Sequence, residues 1–303
     1  MVHDQELKLY RPPLLHLENI YKSYDDKLVL DDIDLKVREG EFCSLVGPSG
    51  CGKSTLLRLI LGQDRPTSGE VLIDGEPGGY PDTRRGIVYQ KYSLYPHLTV
   101  LENVMLGRRL SGGWFQSWLE QKSYREEAVH FLERVKLTDQ GGKYPYELSG
   151  GMQQRVAIAQ ALVMKPKILL MDEPFGALDP GTREHLQLFL LELWEEFKMT
   201  IFFVTHDIPE AVFLGTRIFV LSQYYTDGRG QGPTVKRGAR IIRDDVLPRY
   251  TTTKVKESAE YAKLVQDVTH DVSKPEHLKH VTEFNLRHPD SFQTLTDEER
   301  ALR

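Results

Sequence analysis

The chain has 303 residues, 40% hydrophobic and 27% charged, with a formal net charge of -5 from 39 Lys+Arg against 44 Asp+Glu. Such a composition fits a globular chain with a sizeable core, argues against disorder or a fibre, and disfavours a general electrostatic grip on nucleic acid. Two cysteines, Cys43 and Cys51, lack metal-ligand spacing and read as reduced cytosolic thiols, residues 1–13 lack the pattern of a secretory signal, and no apolar run approaches the roughly 20 residues of a membrane-spanning helix.

Residues 14–20 and 28–37 alternate apolar and polar side chains, which predicts two strands joined by a turn at Tyr24, Asp25 and Asp26 in a small antiparallel sheet. Residues 41–46 form an apolar, buried kind of strand. It runs straight into Gly47-Pro48-Ser49-Gly50-Cys51-Gly52 and then a helical stretch over residues 53–61. Residues 47–54 satisfy the spacing Gly, four residues, Gly, Lys, Ser between a strand and a helix, as a phosphate-binding loop requires. Glycines let successive backbone N–H groups curl round phosphates, and the positive helix end adds to the attraction. In this reading Lys53 reaches the outer phosphates, Ser54 ligates Mg²⁺, and Thr55 adds a hydroxyl near the inner phosphate. The competing reading is a glycine-rich turn that happens to precede Lys-Ser. Tyr24 offers an aromatic face able to stack on adenine, although an exposed turn tyrosine is ordinary.

Gln90 follows Ile87-Val88-Tyr89 at a strand end, where its amide can bind Mg²⁺ or water; a lone Gln is usually just polar surface. From about residue 98 to 163 the apolar spacing turns helical, notably over 124–135 and 152–163, with glycine turns at Gly112-Gly113 and Gly141-Gly142. This predicts a helical subdomain. Within it, Leu148-Ser149-Gly150-Gly151-Met152-Gln153-Gln154-Arg155 opens a helix with a serine and two glycines, a second anion-binding helix N-terminus where one nucleotide needs a single cradle.

The apolar strand at 168–171 ends in Asp172 and Glu173. Asp172 is placed to hold the Mg²⁺ shell, and Glu173, aimed differently, to polarise a water as general base. In isolation the pair reads better as a solvated turn; beside a phosphate loop the preference reverses. Helix 182–197, strand 201–204, helix 208–214 and strand 217–221 alternate, implying a parallel sheet with helices on its faces. His206, in Thr-His-Asp after the strand at 201–204, is a candidate γ-phosphate contact on the same sheet edge, although a single histidine at a strand end is more often a structural or surface residue. After Ser222, a glycine-rich segment over 227–238 precedes a polar tail, in which residues 261–268 can form one amphipathic helix.

The stretch from Leu148 to Arg155 resembles the signature motif of ABC (ATP-binding cassette) ATPases. The order phosphate loop, Gln90, signature, Asp172-Glu173, Asp179 within Gly176-Ala177-Leu178-Asp179, and His206 matches that family over roughly residues 14–222. The resemblance implies an α/β fold: a P-loop NTPase cassette with a RecA-like core, a small antiparallel β-subdomain and an α-helical subdomain at about 98–163. Residues 1–13 and 223–303 are then terminal extensions. It further implies a head-to-tail pair of subunits, each ATP lying between one phosphate loop and Leu148, Ser149, Gly150, Gly151 and Gln153 of the other, with Asp179 at the seam and ATP and Mg²⁺ required.

A second match, Leu110-Ser111-Gly112-Gly113, continues Trp114-Phe115-Gln116-Ser117-Trp118 and comes too soon after Gln90. It reads as a turn. Residues 90–104 and Glu173-Pro174-Phe175-Gly176-Ala177-Leu178-Asp179 look like those of bacterial importers, with nitrate, sulfonate, taurine and bicarbonate uptake ATPases the most similar group. That implies transmembrane permease subunits, an extracytoplasmic substrate-binding protein and a peripheral place on the cytoplasmic face of the membrane. Tyr92, Leu94 and Tyr95 are candidate docking residues, with ordinary packing an equal rival. The alternative is a non-transport ABC ATPase of DNA repair or translation. Against it stand a single cassette and the lack of a long heptad run.

Overall fold

The computed structural model describes residues 12–91, 93–111, 121–229, 237–273 and 278–295. The chain gathers into two units, one from residues 1–80, 206–250 and 254–303, the other from 81–205 and 251–253.

In the first unit, β1 (Leu15–Tyr24) turns through Asp25 at φ 48° into β2 (Lys27–Val37), and the two pair antiparallel. Alternation places Leu15 and Leu17 in the core, and a register shift after Leu17, with Asn19 at φ 51°, turns Ile20 inward as well. β4 (Ser68–Ile73) pairs on the other side of β1, and β5 (Glu76–Pro77) extends the sheet to the order β2-β1-β4-β5. These last two strands escape sequence reading because β4 opens with the exposed Ser68-Gly69-Glu70, which hides its alternation. β3 (Phe42–Val46) is buried along its whole length and passes through the glycine loop into α1 (Lys53–Leu61).

β9 (Arg217–Ser222) runs parallel to β3, while β11 (Arg240–Val246) pairs antiparallel with β9, so the sheet expected to be parallel is mixed. β13 (Asn285–Leu286) adds parallel to β11. β10 (Tyr225–Thr226) and β12 (Lys279–His280) pair separately. The predicted tail helix is α7 (Ala259–Val272), which packs beside α6 (Ile208–Leu214); the Tyr261 hydroxyl donates to the Pro209 carbonyl at 2.6 Å.

The segment after Ser222 is anchored by a buried ion network. Arg217 donates two hydrogen bonds of 2.7 Å to Asp244, one of 3.0 Å to Glu41 and one of 2.8 Å to the Lys36 carbonyl. Ser291 donates to Asp244 as well. One guanidinium thus joins β9, β11 and the approach to β3, and a neighbouring bidentate pair, Arg38 with Asp290, holds the tail's return.

The second unit contains β6 (Arg85–Tyr89), β7 (Ile168–Asp172) and β8 (Thr200–Val204), parallel and in that order. β7 and β8 are continuous apolar runs, as strands covered on both faces should be. Helices α2 (Val100–Ser111), α3 (Gln121–Arg134) and α4 (Gly150–Leu162) pack on one another where the helical subdomain was predicted, and α5 (Pro180–Phe197) follows β7. Of the Leu110 to Trp118 stretch, residues 112–118 lie outside the described residues.

Side-chain caps fix most helix starts. Thr99 and Glu102 form a reciprocal box at α2. Ser149, Asp179, Asp207 and Ser258 each accept a backbone N–H at the starts of α4, α5, α6 and α7, contacts worth about 1 kcal/mol apiece.

Candidate nucleotide site

α1 departs from that capping pattern. Its N-cap is Gly52, left-handed at φ 109° with no side-chain cap, so the first turn directs backbone N–H groups and the positive helix end toward the loop. The glycines have steric reasons too. A Cβ on Gly47 would lie 2.2 Å from the Leu221 carbonyl oxygen of β9, and one on Gly52 would lie 2.9 Å from Leu30 Cδ2. Gly50, at φ 76°, completes the turn, which the Cys51 N–H closes by donating to the Pro48 carbonyl at 3.3 Å. Lys53 is buried and folds back, its ammonium donating to the Gly47 and Pro48 carbonyls at 2.8 and 3.0 Å. Ser49 and Ser54 are exposed while Thr55 is buried, with Arg58 donating to its hydroxyl at 3.3 Å. Burial pushes the Cys51 thiol up, and that of Cys43 further, so neither behaves as a thiolate.

Two more predicted residues belong to this unit. Tyr24 ends β1 and is 39% exposed, with the Lys22 ammonium 4.7 Å from its ring centroid. His206 is exposed just after β8, two residues before α6 begins.

The second unit brings the other predicted residues into two clusters. Tyr89 of β6 and Val204 of β8 both lie in register with Asp172 of β7, so Gln90 and Glu173 emerge side by side at the carboxyl ends of adjacent strands. Glu173 takes the left-handed conformation at φ 48°, and its N–H donates to the Val204 carbonyl at 2.8 Å. The following turn closes on Gln90: a Cβ on Gly176 would stand 3.0 Å from the Gln90 Nε2.

The signature residues form the second cluster. Exposed Ser149 caps α4, accepting from the Met152 N–H at 3.4 Å, and Gln153 donates to the Leu148 carbonyl at 3.1 Å. Gly151 is buried against α5, where a Cβ would stand 2.5 Å from Thr182 Cγ2. Thr182 is also the residue whose N–H Asp179 accepts at 2.9 Å, a bond that holds the Asp179 carboxyl below the ordinary carboxylate range. Signature and Asp179 are therefore joined through Thr182 within one chain.

A family model described as ABC transporter matches residues 30–176. A nitrate-import ATP-binding protein of Synechocystis sp. is 42% identical over 244 residues, covering 80% of this chain and 87% of that protein. The chain is a member of the ABC transporter family. An aliphatic-sulfonate-import ATP-binding protein of Bacillus cereus is 46% identical over 194 residues, 64% of this chain and 74% of the relative. A dimeric ATP-binding cassette solved in a post-hydrolysis state with ADP and Pi is 34% identical, with a TM-score of 0.62 over 78% of this chain and 100% of that one. The protein is accordingly an ATP-binding cassette ATPase of α/β fold. Among the described residues no helix is long and apolar enough to cross a membrane.

Of the candidate docking residues in this ABC ATPase, Tyr95 is 45% exposed and Leu94 half-buried, while Tyr92 lies outside the described residues. The loop carrying them is tied down by Asn103, which is fully buried, accepts from the Tyr95 N–H at 2.7 Å, and donates to the Tyr95, Leu98 and Thr99 carbonyls.

Thr182 was missed by sequence reading. Its place three residues after Asp179 signals a cap, but no spacing signals that its methyl meets Gly151. Gly151→Ala is expected to lower stability by about 1–3 kcal/mol through overpacking of α4 on α5. Adding Thr182→Ser, which deletes that methyl and keeps the hydroxyl, should restore most of the loss. Urea unfolding of the single and double variants measures both; an unrestored double variant would refute the contact.

Proposed function

We propose that this ATPase is the motor subunit of a bacterial uptake system for a small anionic solute such as nitrate, a sulfonate, taurine or bicarbonate. The observation that carries the reading is the 42–46% identity to proteins named for nitrate and sulfonate import. In this reading two copies associate head to tail on the cytoplasmic face of the membrane, bound to permease subunits and served by an extracytoplasmic substrate-binding protein. Residues 14–222 act as the cassette, and 223–303 are its extension.

The residues fit the group they would hold. Ser54, Gln90 and Asp172 offer hydroxyl, amide and carboxylate oxygens, the hard donor set that suits Mg²⁺. These residues would hold Mg²⁺, which would supply positive charge to offset the charge that develops on the phosphates during hydrolysis. Backbone N–H groups of Gly47 and of Ser49 to Thr55 bind and orient the phosphates, Pro48 shaping the loop without a donor of its own, with Tyr24 stacking on the base. Lys53 exchanges its two loop carbonyls for phosphate oxygens. Glu173 accepts the proton of the attacking water at its carboxylate, and His206 and Gln90 position the reacting end. Leu148, Ser149, Gly150, Gly151 and Gln153 close over the nucleotide of the partner cassette, the Ser149 hydroxyl and the start of α4 donating to it. Asp179, fixed by Thr182, lines the seam.

Affinity capture from native membranes in mild detergent, with this chain as bait and mass spectrometry as readout, is expected to return a multi-span permease. Recovery of ribosomes or DNA-repair proteins in its place would refute the transport reading.

A further inference from the structure

Tyr24 is held on three sides. Its hydroxyl donates to Asp64 Oδ2 at 2.5 Å, while Asp64 Oδ1 accepts from Lys22 Nζ at 2.6 Å. Lys22 also donates to the Arg65 carbonyl at 2.7 Å, which steadies its ammonium over one face of the Tyr24 ring. Arg58, in the last turn of α1, donates at 3.3 Å to the Tyr24 hydroxyl and at 3.3 Å to the hydroxyl of Thr55.

Asp64 itself is rigidly mounted. It stands two residues past the left-handed Gly62 that ends α1, and the N–H groups of Gln63 and Asp64 return to the Arg58 carbonyl at 3.0 and 3.3 Å. Its Oδ1 takes the Arg65 N–H at 2.8 Å in addition. Partial burial pushes its carboxyl up, yet hydrogen bonds from Lys22 and Tyr24 outweigh this and hold it below the ordinary range, so it stays an anionic acceptor at neutral pH. The helix that begins at the phosphate loop therefore ends on the residue that fixes Tyr24.

We propose that Asp64 is a positioning residue for the nucleobase: by pinning the Tyr24 hydroxyl it presents the ring face opposite Lys22 as a preset platform for the purine of ATP. The inference rests on the reading of Tyr24 as the stacking surface. Its physical content is preorganisation. A tyrosine tip left to rotate loses that freedom on binding, at a cost of about 0.5–1.5 kcal/mol per side chain, whereas one already fixed does not.

The test is titration of the full-length protein with MgATP, together with competition by inorganic tripolyphosphate, which has the phosphates and no base. Asp64→Ala and Tyr24→Phe are each expected to weaken ATP binding about three- to ten-fold and leave tripolyphosphate within about two-fold. The Asp64→Ala/Tyr24→Phe double variant should be no weaker than the singles, since both delete the same bond. Asp64→Asn, which keeps an acceptor oxygen, should recover part of the loss. An equal loss for ATP and tripolyphosphate in Asp64→Ala would mean that Asp64 merely supports the loop and would overturn the proposal. Tyr24→Ala weakening ATP while Asp64→Ala and Tyr24→Phe do not would overturn it and leave stacking intact. Unchanged ATP affinity in Tyr24→Ala would remove the stacking reading and the proposal together.

Discussion

Glu173→Gln is expected to slow ATP hydrolysis by about 10²- to 10⁴-fold while ATP still binds, the range lost when a positioned general base is removed. Glutamine keeps the size and the hydrogen-bonding reach of the side chain and loses only its capacity to take a proton. The backbone argues for this residue as well. Glu173 is a non-glycine residue at φ 48°, an arrangement that costs on the order of 1 kcal/mol or more and persists because the surrounding structure imposes it. Here the Val204 carbonyl accepts the Glu173 N–H, and the Gly176 N–H returns to the Glu173 carbonyl at 3.2 Å, so the backbone turns off the line of β7 at Glu173. Lys53→Ala supplies the contrast, because it should lose ATP binding itself. Phosphate release at saturating ATP, paired with equilibrium nucleotide binding, separates the two effects. Hydrolysis at the parental rate in Glu173→Gln would show that another group accepts the proton.

Arg217→Leu is expected to lower stability by about 3–5 kcal/mol, the usual cost of stranding a buried charge. Arg217 is 1% exposed and Asp244 4% exposed. The substitution leaves the Asp244 carboxylate with the Ser291 hydroxyl in place of a bidentate guanidinium. The deletion also removes the guanidinium from the Phe219 ring, 4.6 Å away. Because the coupling is between charges, Arg217→Leu with Asp244→Leu should recover part of the loss, with Glu41 left to give up its share of the guanidinium. Denaturant midpoints of the three variants decide the matter. A loss below about 1 kcal/mol in Arg217→Leu would place this pair with solvent-screened surface bridges.

Some element starts and stops were legible because they depend on neighbours in the chain. Residues 53–61 and 208–214 were read at the ends the structure shows, since Gly52 and Gly62 punctuate the first and Asp207 and Gly215 the second. The segment after Ser222 was less legible. Its strand β11 carries Arg240, Arg243, Asp244 and Asp245, charged residues that read as solvated loop, yet each is buried. Their burial depends on partners that no local pattern announces: Asp32 for Arg240, Asp271 for Arg243, Arg217 for Asp244. The candidate site divides the same way. Its loop, its acidic strand end and its signature are contiguous segments with characteristic spacing, whereas the Asp64 support of Tyr24 and the Thr182 contact with Gly151 are not.

The sequence by itself determined the family, much of the order of strands and helices between residues 14 and 222, and the segments proposed to carry the nucleotide chemistry, because periodicity, caps and glycine spacing act over a few residues. Tertiary structure alone decided that the polar tail joins β9 through β11, that Gly47 must be a glycine beside the Leu221 carbonyl, and that Tyr24 is held by a residue 40 positions away. Those outcomes follow from strand register and helix packing, which bring distant side chains within bonding distance and which the one-dimensional pattern does not encode.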